Sequence, residues 1–157
     1  CVEGSRPLLV EVQALVSTST FGNAQRTANG LDRSRLALLL AVLDKRAGLN
    51  LATDDVFVNV AGGMTVEEPA ADLAVLAAVA SSMRNRAVAS DVVIFGEVGL
   101  AGEVRAASQP ALREREAAQL GFTRVLVPDG SLSPQDIPAG VTVIGVRSVS
   151  EALDALL

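Results

Sequence analysis

Histidine, tryptophan and tyrosine are absent from the 157 residues, and cysteine and lysine occur once each, as Cys1 and Lys45. Without histidine, neither a Ser-His-Asp nor a Cys-His nucleophile can be assembled. Zinc sites built from histidine and cysteine are excluded by the same inventory. A lone cysteine forms no internal disulfide and fits a reducing cytoplasm. No run of about 18 uninterrupted apolar residues is present, which excludes a helical membrane span. The first residues also lack the charged-then-apolar pattern of a secretory signal.

What the chain does contain is aliphatic mass. Half of it is hydrophobic, mostly Ala, Val and Leu, with four Phe as the only aromatics. That suffices for one core, so residues 1–157 read as a single domain. The chain opens at Cys1 without a methionine, and a strand-like run over 7–16 follows almost at once. This start reads as a cut inside a longer protein with further domains upstream.

Periodicity predicts alternating strands and helices. A polar loop over 17–30 follows the first strand. Asp32 is a helix N-cap, Leu36, Leu39, Leu40 and Leu43 recur at helical spacing, and Gly48 closes the helix after Lys45 and Arg46. A buried strand over 56–60 runs into Gly62 and Gly63. Pro69 then opens a second helix that is apolar on nearly every side, so it must be covered on more than one face. A strand at 92–95, a hairpin across 97–105, a helix from Pro110 to Leu120, strands at 124–127 and 141–144 that close the sheet, and a terminal helix over 150–157 complete the order. Strands alternating with helices give an α/β class.

Each chemistry can be tested against the residues. No Gly-x-x-x-x-Gly-Lys-Ser/Thr is present, so the glycines at 62, 63, 99 and 102 serve turns rather than phosphates. Glu67, Glu68 and Asp72 cluster at a helix start. A glycosidase would want positioned acids and stacking aromatics, whereas acids at this place simply complement a helix N-terminus. A Ser–Lys hydrolase would have to use Lys45 with Ser81, Ser82 or Ser108. Such a base needs a lysine shielded from water, and a helix end beside Arg46 points to exposure.

The stretch from Gly62 to Leu73 resembles the segment around the nucleophile of Lon proteases, Asp-Gly-Pro-Ser-Ala-Gly. Here Glu67-Glu68-Pro69-Ala70-Ala71-Asp72 stands in that register, with Ala70 at the nucleophile. Gly96-Glu97-Val98-Gly99-Leu100-Ala101-Gly102-Glu103-Val104 resembles the Gly-Glu-x-x-Leu-x-Gly-x-Val of Lon. The ungapped register to Val125-Leu126-Val127-Pro128 places Ala111 at the catalytic lysine. The resemblance therefore implies a Lon proteolytic-domain-like (ribosomal protein S5 domain 2-like) fold, a mixed sheet with packed helices, lacking the peptidase dyad and with no catalytic residue of its own.

Several further segments resemble the bacterial RadA (Sms) family. They are Thr27-Ala28-Asn29-Gly30-Leu31-Asp32-Arg33-Ser34-Arg35-Leu36, then residues 38–46, Val58-Asn59-Val60-Ala61-Gly62-Gly63 and Glu68-Pro69-Ala70-Ala71-Asp72-Leu73-Ala74. The likeness weakens over 17–25 and 131–140. It implies a parent carrying a zinc finger and a RecA-like ATPase upstream, where Zn2+, ATP and Mg2+ would bind, with no cofactor or metal in the present chain. It also implies a cytoplasmic, ring-shaped homo-oligomer, expected as a hexamer. Such a ring acts on recombination intermediates and branch migration in DNA repair, with RecA or a replication protein as a further partner. The present chain would supply assembly and DNA contact.

The charge pattern bears on that expectation. Net charge is −5, unlike a general nucleic-acid binder. Residues 26–46 nevertheless hold five basic side chains, Arg26, Arg33, Arg35, Lys45 and Arg46, against Asp32 and Asp44. This local excess of three positive charges leaves −8 elsewhere and marks a candidate phosphate-contacting patch. Arg33 and Arg35 either meet phosphate or pair with acids of a neighbouring subunit. Phe21 either stacks on a base or staples its loop to the core. Arg84, Arg86, Arg105, Arg113 and Arg115, interleaved with Glu103, Glu114 and Glu116, read as a solvated surface. A third use of the domain, binding a partner protein through the frame of the helix at Pro69, remains open beside the other two.

Overall fold

The computed structural model describes residues 1–157. Helix α1, Arg33–Ala47, starts where the Asp32 carboxylate accepts the Arg35 N–H at 2.8 Å. It stops where Gly48 turns left-handed, at φ 69°, and its N–H reaches the Leu43 carbonyl. Both punctuation marks lie where the sequence puts them. Leu36, Leu39, Leu40, Val42 and Leu43 face inward and are buried.

The first strands are displaced from the expected 7–16. A minimal hairpin, β1 (Val2–Glu3) and β2 (Arg6–Pro7), comes first, and β3 runs over Val12–Thr18. The expected loop over 17–30 contains a strand, β4 (Arg26–Asn29). It pairs in parallel with β5 (Asp54–Val60), while β3 pairs with the opposite edge of β5 in antiparallel register. A parallel partner about thirty positions away leaves no local turn signal, which is why composition hides β4. Strand β5 is buried on one face only. Val56, Val58 and Val60 enter the core, while Phe57 and Asn59 face outward.

The remaining strands form a second, separate sheet rather than closing the first. Strands β6 (Val92–Ile94), β9 (Arg124–Pro128) and β10 (Thr142–Val146) are all parallel, in the order β10-β9-β6. The hairpin β7 (Glu97–Val98) and β8 (Val104–Arg105) stands beside them, as the glycines at 99 and 102 suggest. Helix α2, Asp72–Arg84, lies between the sheets, and Leu73, Val75, Leu76, Ala77, Val79 and Ala80 are all essentially inaccessible. An all-round apolar helix is thus covered on several faces, as its composition requires. Helices α3 (Pro110–Gln119) and α4 (Val149–Leu156) complete the α/β packing. One core of leucines and valines from α1, α2, α4, β5 and β9 unites the two sheets. No helix is long and apolar enough to cross a membrane.

Candidate functional site

Ala70 and Ala111, the two alanines expected at the dyad positions, sit on neighbouring structural devices. Pro69 opens a single 3-10 turn, Pro69–Ala71, which leads into α2. Ala70 is buried there, and its carbonyl accepts the Gly96 N–H at 2.8 Å while the Leu73 N–H reaches the Gly96 carbonyl at 3.1 Å. These two bonds staple the turn to the β6–β7 junction. Gly96 suits this close crossing, because a Cβ would lie 3.0 Å from Val104 and 3.3 Å from Leu73 and Pro128. Ala111 is the second residue of α3, directly after Pro110. Neither methyl group offers an oxygen nucleophile or an amine.

An ion pair joins these segments. Glu68, two residues before Ala70, is bonded to Arg113, two residues after Ala111. Arg113 is 6% exposed. Its Nε donates to the Ser108 carbonyl at 2.7 Å and its Nη2 to Ser108 Oγ at 3.3 Å. The guanidinium also lies 5.6 Å from the centre of the Phe95 ring, within cation–π range. The other Glu68 oxygen accepts the Val2 N–H at 2.7 Å. Next to Arg113, Glu114 is 0% exposed and neither of its oxygens has a partner. Burial pushes its carboxyl above the usual range, and Asp136 adds to the rise against the opposing Arg115. The expectation of a solvated surface for this basic set fails at both residues. Arg113, Glu114 and Ala117 turn inward together, a face masked in the sequence by two charges.

The acidic cluster is also more than a complement to a helix end. Asp72 does occupy the first turn of α2, yet it is 3% exposed and gripped by Arg35. Arg35 Nε reaches it at 2.9 Å, its Nη2 bonds the second oxygen, and the Val98 N–H adds a 3.1 Å bond. Donating to the Asp72 carboxylate raises the Arg35 pKa above its ordinary value. Only Glu67 of the three acids is exposed.

The five candidate DNA residues divide by what they touch. Arg26 bonds the Asp54 carbonyl through Nη1 and the Leu51 carbonyl through Nη2 at 2.6 Å, pinning the chain between α1 and β5. Arg35 is held by Asp72. Arg46 lies in the last turn of α1, with Nε on the Leu100 carbonyl at 3.3 Å and its stem against Gly102. Arg33 and Lys45 are exposed, and their side chains make no hydrogen bond or ion pair with the chain. They stand at opposite ends of α1, about 18 Å apart along its axis. Phe21 is 96% exposed at the β3–β4 loop, so it does not staple that loop to the core.

None of the three candidate serines is bonded to Lys45. Ser81 Oγ donates to the Arg86 carbonyl at 2.6 Å, Ser82 Oγ accepts the Val16 N–H at 2.9 Å, and Ser108 holds Arg113.

Residues 40–157 match the Lon protease (S16) C-terminal proteolytic domain. The chain is 49% identical over 99% of its length to the DNA repair protein RadA of Halalkalibacterium halodurans. It is 53% identical over 98% to that of Pseudomonas aeruginosa, and 52% over 96% to that of Escherichia coli K12. The chain spans about a third of the length of these curated relatives, 33–34% of each. By its match over three quarters of its residues, with an α/β fold to suit, the chain belongs to the Lon protease C-terminal proteolytic domain family.

Proposed function

We propose that this chain is a peptidase-inactive Lon-type domain serving a RadA-like DNA repair protein as its assembly and DNA-contact platform. The observation that carries the first half is the pair of methyl side chains at Ala70 and Ala111, with the Glu68–Arg113 pair between their segments. Hydrolysis by a serine–lysine route needs a hydroxyl beside a neutral amine. Lys45, the sole lysine, is exposed at the far end of α1. The likeness to RadA proteins supports the second half. In this reading the motor lies upstream, in a zinc finger and a RecA-like ATPase that bind Zn2+, ATP and Mg2+. The whole works as a cytoplasmic ring on recombination intermediates, alongside RecA or a replication protein.

Within the platform, Arg33 and Lys45 are the side chains free to meet phosphate, with Arg46 beside Lys45. Arg26 and Arg35 support them by fixing both ends of α1. The deciding experiment measures duplex affinity against salt for the parent chain and Arg33→Ala. Loss of one phosphate contact flattens the log–log slope by about one unit, and an unchanged slope rejects Arg33 as a contact. Sedimentation over a concentration range tests the ring. A serine-reactive phosphonate should leave the protein unlabelled, and stoichiometric labelling would restore the hydrolase.

A further inference from the structure

Glu114 stands in a layer of hydrocarbon. It points inward from α3 on the same face as Ala117, one turn away. Ala117 packs on Phe95, Val125 and Val127, with Val93 and Val143 beside them, so the layer under α3 is apolar. Glu114 is fully enclosed, and no donor reaches either carboxyl oxygen. An anion without donors is strongly disfavoured in such a place, and a neutral carboxyl is tolerated far better. While the site stays closed, the carboxyl therefore keeps its proton at a pH where a solvated glutamate has released it.

The cover over this place is the connection between β9 and β10. Its Leu132 and Val141 pack against the same apolar layer, and Asp136, in the 3-10 turn Pro134–Asp136, lies close enough to act on Glu114. The cover is loosely fastened. The Asp136, Ile137 and Val141 N–H groups bond the Ser133, Pro134 and Pro138 carbonyls, all within the connection itself. No hydrogen bond or ion pair ties residues 132–140 to α3 or to the strands. Gly130 and Gly140 stand near its two ends, both left-handed, with open space where a Cβ would lie. Such points absorb a change in backbone angle.

Few charges bear on Glu114. Burial raises its pKa, Arg115 on α3 opposes the rise and Asp136 reinforces it. Arg113 gives its Nε to Ser108 and its Nη2 to Glu68. The three strands β6, β9 and β10 carry one charged residue, Arg124, and Asp91 holds it. Arg115, exposed to water, is thus the one group that favours a Glu114 anion, and Asp136 repels it.

We propose that residues 131–141 form a proton-controlled flap, which shuts over Glu114 while its carboxyl is protonated and lifts to hydrate it once the proton has passed to water. Lifting takes Leu132 and Val141 off the apolar layer and moves Asp136 away from the new anion. The closed state binds the Glu114 proton more tightly than the lifted one, so low pH favours closure. Above about pH 4.5, the ordinary glutamate value, the open-to-closed ratio should rise about tenfold per pH unit. It levels off once the pH passes the closed-state value. The inference uses neither the dyad positions nor the ends of α1, so it stands apart from the DNA reading.

The test places a nitroxide on the flap and reads its distance from α3 in the 15N-labelled 157-residue chain. Gln135 is exposed, so Gln135→Cys in a Cys1→Ser background carries the label. The nitroxide should broaden the amide signals of residues 115–119 at pH 4 and lose that effect as the pH approaches 8. The loss should share its midpoint with the NMR titration of the Glu114 carboxyl carbon. Glu114→Gln and Glu114→Leu, neither of which ionises, should keep the broadening throughout. Two such variants guard against one of them disturbing the fold. Broadening that stays constant from pH 4 to pH 8 with Glu114 in place overturns the proposal. So does a loss of the same size in the two variants.

Discussion

Arg113 and Glu68 form an ion pair that ties the turn bearing Ala70 to the helix bearing Ala111. A charge pair thus bridges the Pro69–Ala71 turn and helix α3. Removing one partner of a buried pair leaves the other charge uncompensated, at a cost of about 3–5 kcal/mol. Arg113→Met and Glu68→Gln are each expected to lower stability on that scale in urea unfolding. The double variant should lose less than the sum of the two. Additive losses below about 1 kcal/mol each would show that the pair contributes little.

The two arginines near the start of α1 should separate cleanly. Arg35→Ala strands Asp72 in the core and is expected to cost about 3 kcal/mol, whereas Arg33→Ala should leave the unfolding midpoint unchanged. Thermal unfolding of both variants checks this. Equal losses would mean that Arg33 has a structural partner too.

Glu114 gives a pH signature. Its folded pKa lies above the unfolded value, so its favourable contribution is fully present below the ordinary glutamate range, near pH 4.5. That contribution is lost as pH rises through the folded value. Glu114→Gln removes the titration, so its advantage over the parent should grow between pH 4 and pH 8, reaching at least about 2 °C in Tm. An advantage that stays constant with pH would refute this account of Glu114.

Gly30 sits at φ 80°, and a Cβ there would overlap the Met64 carbonyl oxygen and lie 2.8 Å from Val60 Cβ. Both the backbone conformation and the space forbid a side chain. Gly30→Ala is expected to cost about 3 kcal/mol, read from the urea midpoint. A loss under 1 kcal/mol would mean the β4–α1 corner yields easily.

What the sequence disclosed follows from the range of each interaction. Asp32 and Gly48 act within one helical turn, so the ends of α1 were readable. The hairpin glycines at 99 and 102 were equally local. Strand β4 was not, because its partner β5 arrives from beyond α1. Nor could the burial of Arg113, Glu114 and Asp72 be read, since charge suggests solvent until the tertiary partner is known. The alanines at 70 and 111 were legible as residues, but the Glu68–Arg113 pair between their segments was not. Phe21 is the reverse case, an aromatic ring left in water, which removes the staple of its two alternatives.

On the proposed DNA-contact role, the placement of Arg33 and Lys45 at the two tips of α1 sets a ruler. Strand phosphates repeat about every 3.4 Å, so a backbone lying alongside α1 would be gripped at points about five nucleotides apart. Cleavage by small radicals should then show two short shielded stretches separated by an open one, and each substitution should erase only its own.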